Sequence, residues 1–153
     1  MRNSSNSIRE SGWTVEAHAR EVLKNAVKAL AEFKREFRLD LTPSLLAELY
    51  VALALNLALA GRRNQPGFDL LDDNGRRYQV KERDPETQNV DTNSFDFDYL
   101  VLVNLADDYS LLGMWKLDVA SARSLFTYRE KFRKYQATQK TIKEKAEKIE
   151  FGA

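Results

Sequence analysis

Between Trp13 and Phe37 the apolar residues Val15, Val22, Leu23, Val27, Leu30, Phe33 and Phe37 recur at three- and four-residue steps, the period of one helix face. Asp40-Leu41-Thr42-Pro43 predicts a second start, with Thr42 as N-cap and Pro43 at the first helical position. That helix is expected to run to about Ala60, with Gly61 as its stop. It is apolar almost all round, which suits a helix lying against a sheet. Glu48, Ala52 and Asn56 interrupt it as a narrow polar track at four-residue spacing.

The period then changes to two. Phe68 to Leu71 reads as a short strand carrying an inserted carboxylate, Asp69. Asp73-Asn74-Gly75 is the signal of a tight hairpin. Arg77 to Arg83 is the return strand, with Tyr78, Val80 and Glu82 on one face and Gln79, Lys81 and Arg83 on the other. Asp84 to Ser94 follows neither period. Phe97 to Leu105 is a continuous apolar run with β-branched and aromatic residues, the pattern of a buried central strand. Its pairing parallel to the Gln79-Val80-Lys81 strand needs a crossover, for which residues 84–96 suffice. Leu111 to Leu117 predicts another strand, and Asp118 caps a helix through Leu125. Phe132, Tyr135, Ile142, Ala146 and Ile149 form a weak stripe that predicts one or two surface helices over residues 128–150.

These elements predict a single α+β domain over residues 1–153, with an α/β-type crossover. A small mixed sheet of about four strands would be flanked by N-terminal and C-terminal helices. Residues 1–12, rich in Asn and Ser, read as a flexible leader. The core would span about residues 42–117, and 118–153 would form a basic helical part.

Composition narrows the chemistry. The 153 residues include no cysteine and one histidine, so a disulfide scaffold and a thiolate zinc site are excluded. The absence of cysteine suits a reducing cytoplasm. No signal-peptide run is seen in Met1 to Ser7, and Leu45 to Ala60 is too short and polar for a membrane span. His18 reads as an ordinary helix residue. The net charge of +1 hides an uneven distribution. Residues 84–117 hold seven acids against one base, and residues 118–153 hold nine bases against five acids. A basic C-terminal third suits a phosphate backbone, and equally a solvated helix face.

No Gly-x-x-x-x-Gly-Lys-Ser/Thr and no Gly-x-Gly-x-x-Gly occurs, so phosphate-cradling glycine loops are absent. Little remains for a nucleophilic triad. Asp69, Gln79 and Lys81 can meet at one end of the hairpin, an acid, an amide and an ammonium suited to a divalent metal and a phosphate. A buried Glu48 needs a partner, which an arginine of the first helix could supply.

Pro66-Gly67-Phe68-Asp69, Gln79-Val80-Lys81 and the helix acid Glu48, in that order, resemble the PD-(D/E)XK nuclease superfamily, the fold of restriction endonucleases. The resemblance covers about residues 42–117, with Gln79 standing where a carboxylate is usual. It implies a restriction-endonuclease-like fold and hydrolysis of DNA phosphodiester bonds with Mg²⁺, for which Mn²⁺ can substitute. Asp69, Gln79, Lys81 and Glu48 would be the catalytic set. The metal would take Asp69, the Gln79 side-chain oxygen, the Val80 carbonyl and Glu48, while Lys81 would hold or help deprotonate the attacking water. Arg83, Arg77, Arg76 and Arg62, with Arg63 beside it, are candidates for phosphate contact. Cutting both strands of a duplex would call for two active sites, hence a homodimer. The alternative is a catalytically inactive domain of the same fold that binds nucleic acid or a protein.

Overall fold

The first apolar period does form a helix, α1 (Ala17–Phe37), but none of its residues is buried. Val22, Leu23, Val27 and Leu30 keep half or more of their surface exposed. At its end the Phe33 and Phe37 rings lie 4.7 Å apart, and Lys34 reaches Asp40 at 2.9 Å. The computed structural model describes residues 17–60 and 69–151. The chain divides into two units at Leu41/Thr42, and everything below concerns the second. The leader, Gly61, Arg62, Arg63 and the Pro66-Gly67-Phe68 stretch lie outside the described residues.

Helix α2 (Pro43–Leu55) starts as its residues dictate: the Thr42 side chain accepts from the Leu45 N–H at 3.1 Å, and Pro43 opens the first turn. It stops a turn earlier than expected. Asn56 takes the left-handed conformation (φ 56°, ψ 55°) and its N–H closes on the Ala52 carbonyl, a cap that asparagine tolerates better than most residues. The chain is thereby released to form β1 (Ala58–Leu59).

Strands β2 (Leu70–Leu71) and β3 (Arg77–Arg83) follow as the expected hairpin, though β2 is shorter than Phe68–Leu71. Its turn is held by Asp72, whose carboxylate accepts from the N–H groups of Asn74 and Arg76, both at 2.9 Å. Gly75 supplies the positive φ of 77°. After a crossover comes β5 (Tyr99–Leu105), parallel to β3 as expected, and then β6 (Leu111–Asp118), antiparallel to β5.

The architecture is mixed α+β, and the sheet is larger than the four strands expected. Six strands run in the order β1-β2-β3-β5-β6-β9. A second, three-stranded sheet joins β4 (Asn89–Thr92), β8 (Lys134–Thr138) and β7 (Thr127–Arg129) in the order β4-β8-β7. The crossover therefore contains a strand where no period was legible. Residues 128–150 are not a run of surface helices: β7 and β8 form a hairpin, followed by α4 (Gln139–Lys145) and β9 (Glu147–Ile149). The apparent helical stripe drew its residues from three separate elements. Within residues 118–150 it is α3 (Val119–Leu125), capped by Asp118 on the Ser121 N–H at 2.8 Å, that starts as predicted.

Each face of the large sheet has its own core. Ala47 and Val51 of α2 pack with Tyr78, Val80, Val101, Val103 and Met114. On the other face Leu100, Leu102 and Leu117 meet Ala122 of α3, Ile142 of α4, and Val90 and Ala137 of the small sheet. Strand β5 is buried on both sides, which explains its unbroken apolar sequence. A buried polar hub fixes the crossover to this frame. Gln139 accepts from Asn104 at 2.8 Å and donates to the carbonyls of Asp84 (2.8 Å) and Thr87, while Asn104 also donates to Arg83 O at 2.9 Å.

Candidate functional site

Asp69 sits immediately before β2, one step beyond the Leu70↔Tyr78 pair, and so opposite Gln79. Its N–H donates to the Tyr78 carbonyl at 2.8 Å. Its Oδ2 accepts twice, from Gln79 Nε2 at 3.1 Å and from the Val80 N–H at 2.9 Å. This fixes the carboxylate against β3 and uses the amide end of Gln79, turning the Gln79 oxygen away from Asp69. The N–H and C=O of a strand residue point to the same edge, so the Val80 carbonyl also looks toward Asp69. A carboxylate, an amide oxygen and a carbonyl are the hard donors that Mg²⁺ accepts beside its waters.

Lys81, two residues on, shares the Gln79 face by strand alternation. Burial pushes its ammonium below the ordinary lysine pKa and the neighbouring Arg83 adds to the effect, while Asp69 and Asp91 act in the other direction. A lowered pKa makes the neutral amine, the form that can accept a proton, easier to reach than in a fully solvated lysine.

The structure thus joins Asp69, Gln79 and Val80 by hydrogen bonds, with Lys81 on the Gln79 face of the same strand. Glu48 is buried as expected, but on α2, whose Ala47 and Val51 cover the Tyr78 and Val80 face. Gln79 and Lys81 point to the other. Among the described residues, no group of three or more His, Cys, Asp or Glu side chains is arranged to hold a metal ion. The arginines are spread along β3. Arg76 is paired with Asp72 at 2.8 Å in the turn, and Arg77 lies 3.5 Å from Asp98. Both are at the far end of β3 from Lys81. Arg83 is closer, its guanidinium on the Glu82 carbonyl at 2.7 Å and near Asn89 O at 3.4 Å.

Asp91 was not legible as a site residue. It lies on β4, acts on the charge of Lys81, accepts from Gln136 Nε2 at 2.9 Å and faces Lys134 at 4.0 Å. The only signal was a two-residue alternation, Val90 and Thr92 buried and Asn89 and Asp91 not, too short to stand out. Neither a family model nor a curated protein matches the chain.

Proposed function

We propose that this protein is a metal-dependent nuclease that hydrolyses DNA phosphodiester bonds, a variant of the PD-(D/E)XK type with Gln79 in place of the usual carboxylate. The observation that carries the reading is the convergence on one strand edge of Asp69, doubly hydrogen-bonded by Gln79 and the Val80 N–H, with a partly desolvated Lys81 on the same face. The chain order adds support: a helix, a three-strand meander and a parallel crossover to β5 follow the restriction-endonuclease-like plan that the resemblance implies.

In this reading Asp69 and the Val80 carbonyl would hold Mg²⁺ or Mn²⁺, and the Gln79 oxygen would join them with its amide reversed and its Nε2 bond to Asp69 given up. The cation would offset charge on the phosphate oxygens and lower the pKa of a bound water. Lys81 positions the attacking water and takes its proton as the oxygen bonds to phosphorus and the bond to the leaving oxygen breaks. Glu48 supports α2 rather than the reacting groups. Asp91 tunes Lys81 and supplies a negative charge that Gln79 lacks. One site cuts one strand, so duplex cleavage would use two copies. The setting is the cytoplasm, in keeping with a cysteine-free sequence. No helix among the described residues is long and apolar enough to cross a membrane.

A second reading, a non-catalytic domain that binds nucleic acid or protein, is favoured by Gln79 and by the lack of an acidic triplet among the described residues. Incubation with plasmid, linear duplex and single-stranded DNA in Mg²⁺, Mn²⁺ or EDTA separates the two. Metal-dependent cutting that disappears in folded Asp69→Ala and Lys81→Ala supports the nuclease. Retention of DNA without cutting supports the binding domain.

A further inference from the structure

The hairpin between β7 and β8 has a composition that its structural role does not require. Arg129, Lys131, Arg133 and Lys134 face one acid, Glu130, within six residues. The turn is held by the Phe132 N–H on Arg129 O at 3.1 Å and the Arg133 N–H on Glu130 O at 3.2 Å, with Arg133 at φ 52°. This geometry turns the tip outward with its charges in water. Two aromatic rings are exposed among them, Tyr128 at 50% and Phe132 at 54%. The ammonium of Lys131 lies 5.5 Å from the Phe132 ring centre. Tyr128 leans on Tyr135 with one edge, at 5.2 Å.

At this tip is an open depression of about 410 Å³, lined by Arg129, Glu130, Lys131 and Phe132 and by Asn89 and Gln136; the Tyr128 ring, paired with Tyr135, leaves β7 by the opposite face. Gln136 ties its floor to β4, because the same side chain donates to Asp91 at 2.9 Å. The residue opposite Lys134 in the ladder is Arg129, so the cations form a row beside this depression.

We infer that the β7–β8 hairpin holds an unpaired DNA strand, its phosphates on Arg129, Lys131 and Arg133 and its bases on the Phe132 ring and, round the free edge of β7, on the Tyr128 ring. The inference deepens the nuclease reading and rests on it for the scissile phosphate. Exposed rings interleaved with cations are what a single strand needs, since every base offers a π face and every linkage a charge. A base-paired duplex offers those faces only at its ends, so the hairpin discriminates against it.

The test is fluorescence anisotropy in EDTA with a labelled single-stranded DNA oligonucleotide, its duplex and the matching RNA. The single-stranded DNA is expected to bind at least about tenfold tighter than the duplex. Tyr128→Ala/Phe132→Ala should weaken it by about tenfold or more, at about 1–3 kcal/mol per stacked base, and leave duplex binding unchanged. Arg129→Ser/Lys131→Ser/Arg133→Ser should flatten the salt dependence by about 0.7 in log–log slope for each phosphate that is no longer neutralised. Phe132→Ala alone reads the same effect if the double variant unfolds, and Phe132→Trp should restore binding. Equal affinity for strand and duplex, a tenfold preference for RNA, or a double variant within twofold of the parent overturns the hairpin assignment. Strand binding by the hairpin without cutting in Mg²⁺ leaves the hairpin standing and removes the nuclease, whereas cutting indifferent to the hairpin variants does the reverse.

Discussion

Asn104 on β5 donates to Gln139, the first residue of α4, at 2.8 Å, and both side chains are buried. Through this pair, two residues far apart in sequence fix the backbone leaving β3: Gln139 takes the carbonyls of Asp84 and Thr87, and Asn104 that of Arg83. Each donor is thereby satisfied where water does not reach. Gln139→Leu strands several of these groups, at about 1–3 kcal/mol per buried group left unpaired. We expect a loss of ~3 kcal/mol in urea unfolding, and Asn104→Leu on top of it should cost less than it does alone. Strict additivity of the two would mean that the pair does not act as a unit.

Lys81 makes a prediction whose sign is set by its lowered pKa. The unfolded chain restores the ordinary lysine value, so between the two values the unfolded state binds more protons and stability rises with pH. The penalty of burying the ammonium is complete below the folded pKa and fades as the pH climbs toward 10.5. Lys81→Met should therefore be the more stable protein at pH 7, by a margin that narrows as the medium becomes alkaline, and on the nuclease reading it should not cut. Urea unfolding at several pH values reads the margin, and a constant margin would contradict a desolvated ammonium.

Gln79→Glu replaces the donor that lies 3.1 Å from the Asp69 carboxylate by a second negative charge. Without metal the variant should lose about 1–3 kcal/mol, from the broken hydrogen bond and the like-charge contact. A divalent cation cancels that repulsion, so millimolar Mg²⁺ should raise the melting temperature of the variant more than that of the parent. Equal responses in a thermal-shift titration would count against a cation at this carboxylate.

Asp91→Asn removes one of the charges that act to raise the pKa of Lys81. Its link to Lys134 is a half-exposed pair at 4.0 Å, so stability should change by less than about 1 kcal/mol. The acid limb of the pH–rate profile should move to lower pH, because Lys81 gives up its proton more readily. An unmoved limb, with activity otherwise intact, would place Asp91 outside the reacting centre.

Gly113 on β6 lies under Trp115, and a Cβ added there would stand 2.5 Å from the indole carbon Cη2. The indole also carries the ammonium of Lys143 at 4.4 Å, so it has little room to retreat. Gly113→Ala should cost about 1–3 kcal/mol, the usual range for overpacking, read as a lower melting temperature.

What could be read from the chain was what local chemistry determines. Thr42-Pro43 and Asp118 announce their helices because a cap is a contact within three residues. The alternation of Tyr78, Gln79, Val80 and Lys81 puts the amide and the ammonium on one face without reference to anything else. The parallel partner of β3 was legible because β5 is apolar on both faces. Strands β4, β8 and β9 were not, since their short segments become strands only through distant pairing. The polar track of α2 announced that Glu48 needed company. It did not say which side of the sheet the helix would cover. Asn56 ended α2 before Gly61, because the backbone conformation of one residue prevailed over the continued apolar pattern.

The pairing of β4 with β8 has a consequence for biosynthesis. Asp91 and Gln136 are 45 residues apart, so a ribosome delivers Lys81 and the strand beside it well before the opposite wall exists. During that interval the nascent sheet keeps an uncovered edge, and the wall that carries Asp91 is completed only once residues 134–138 have emerged.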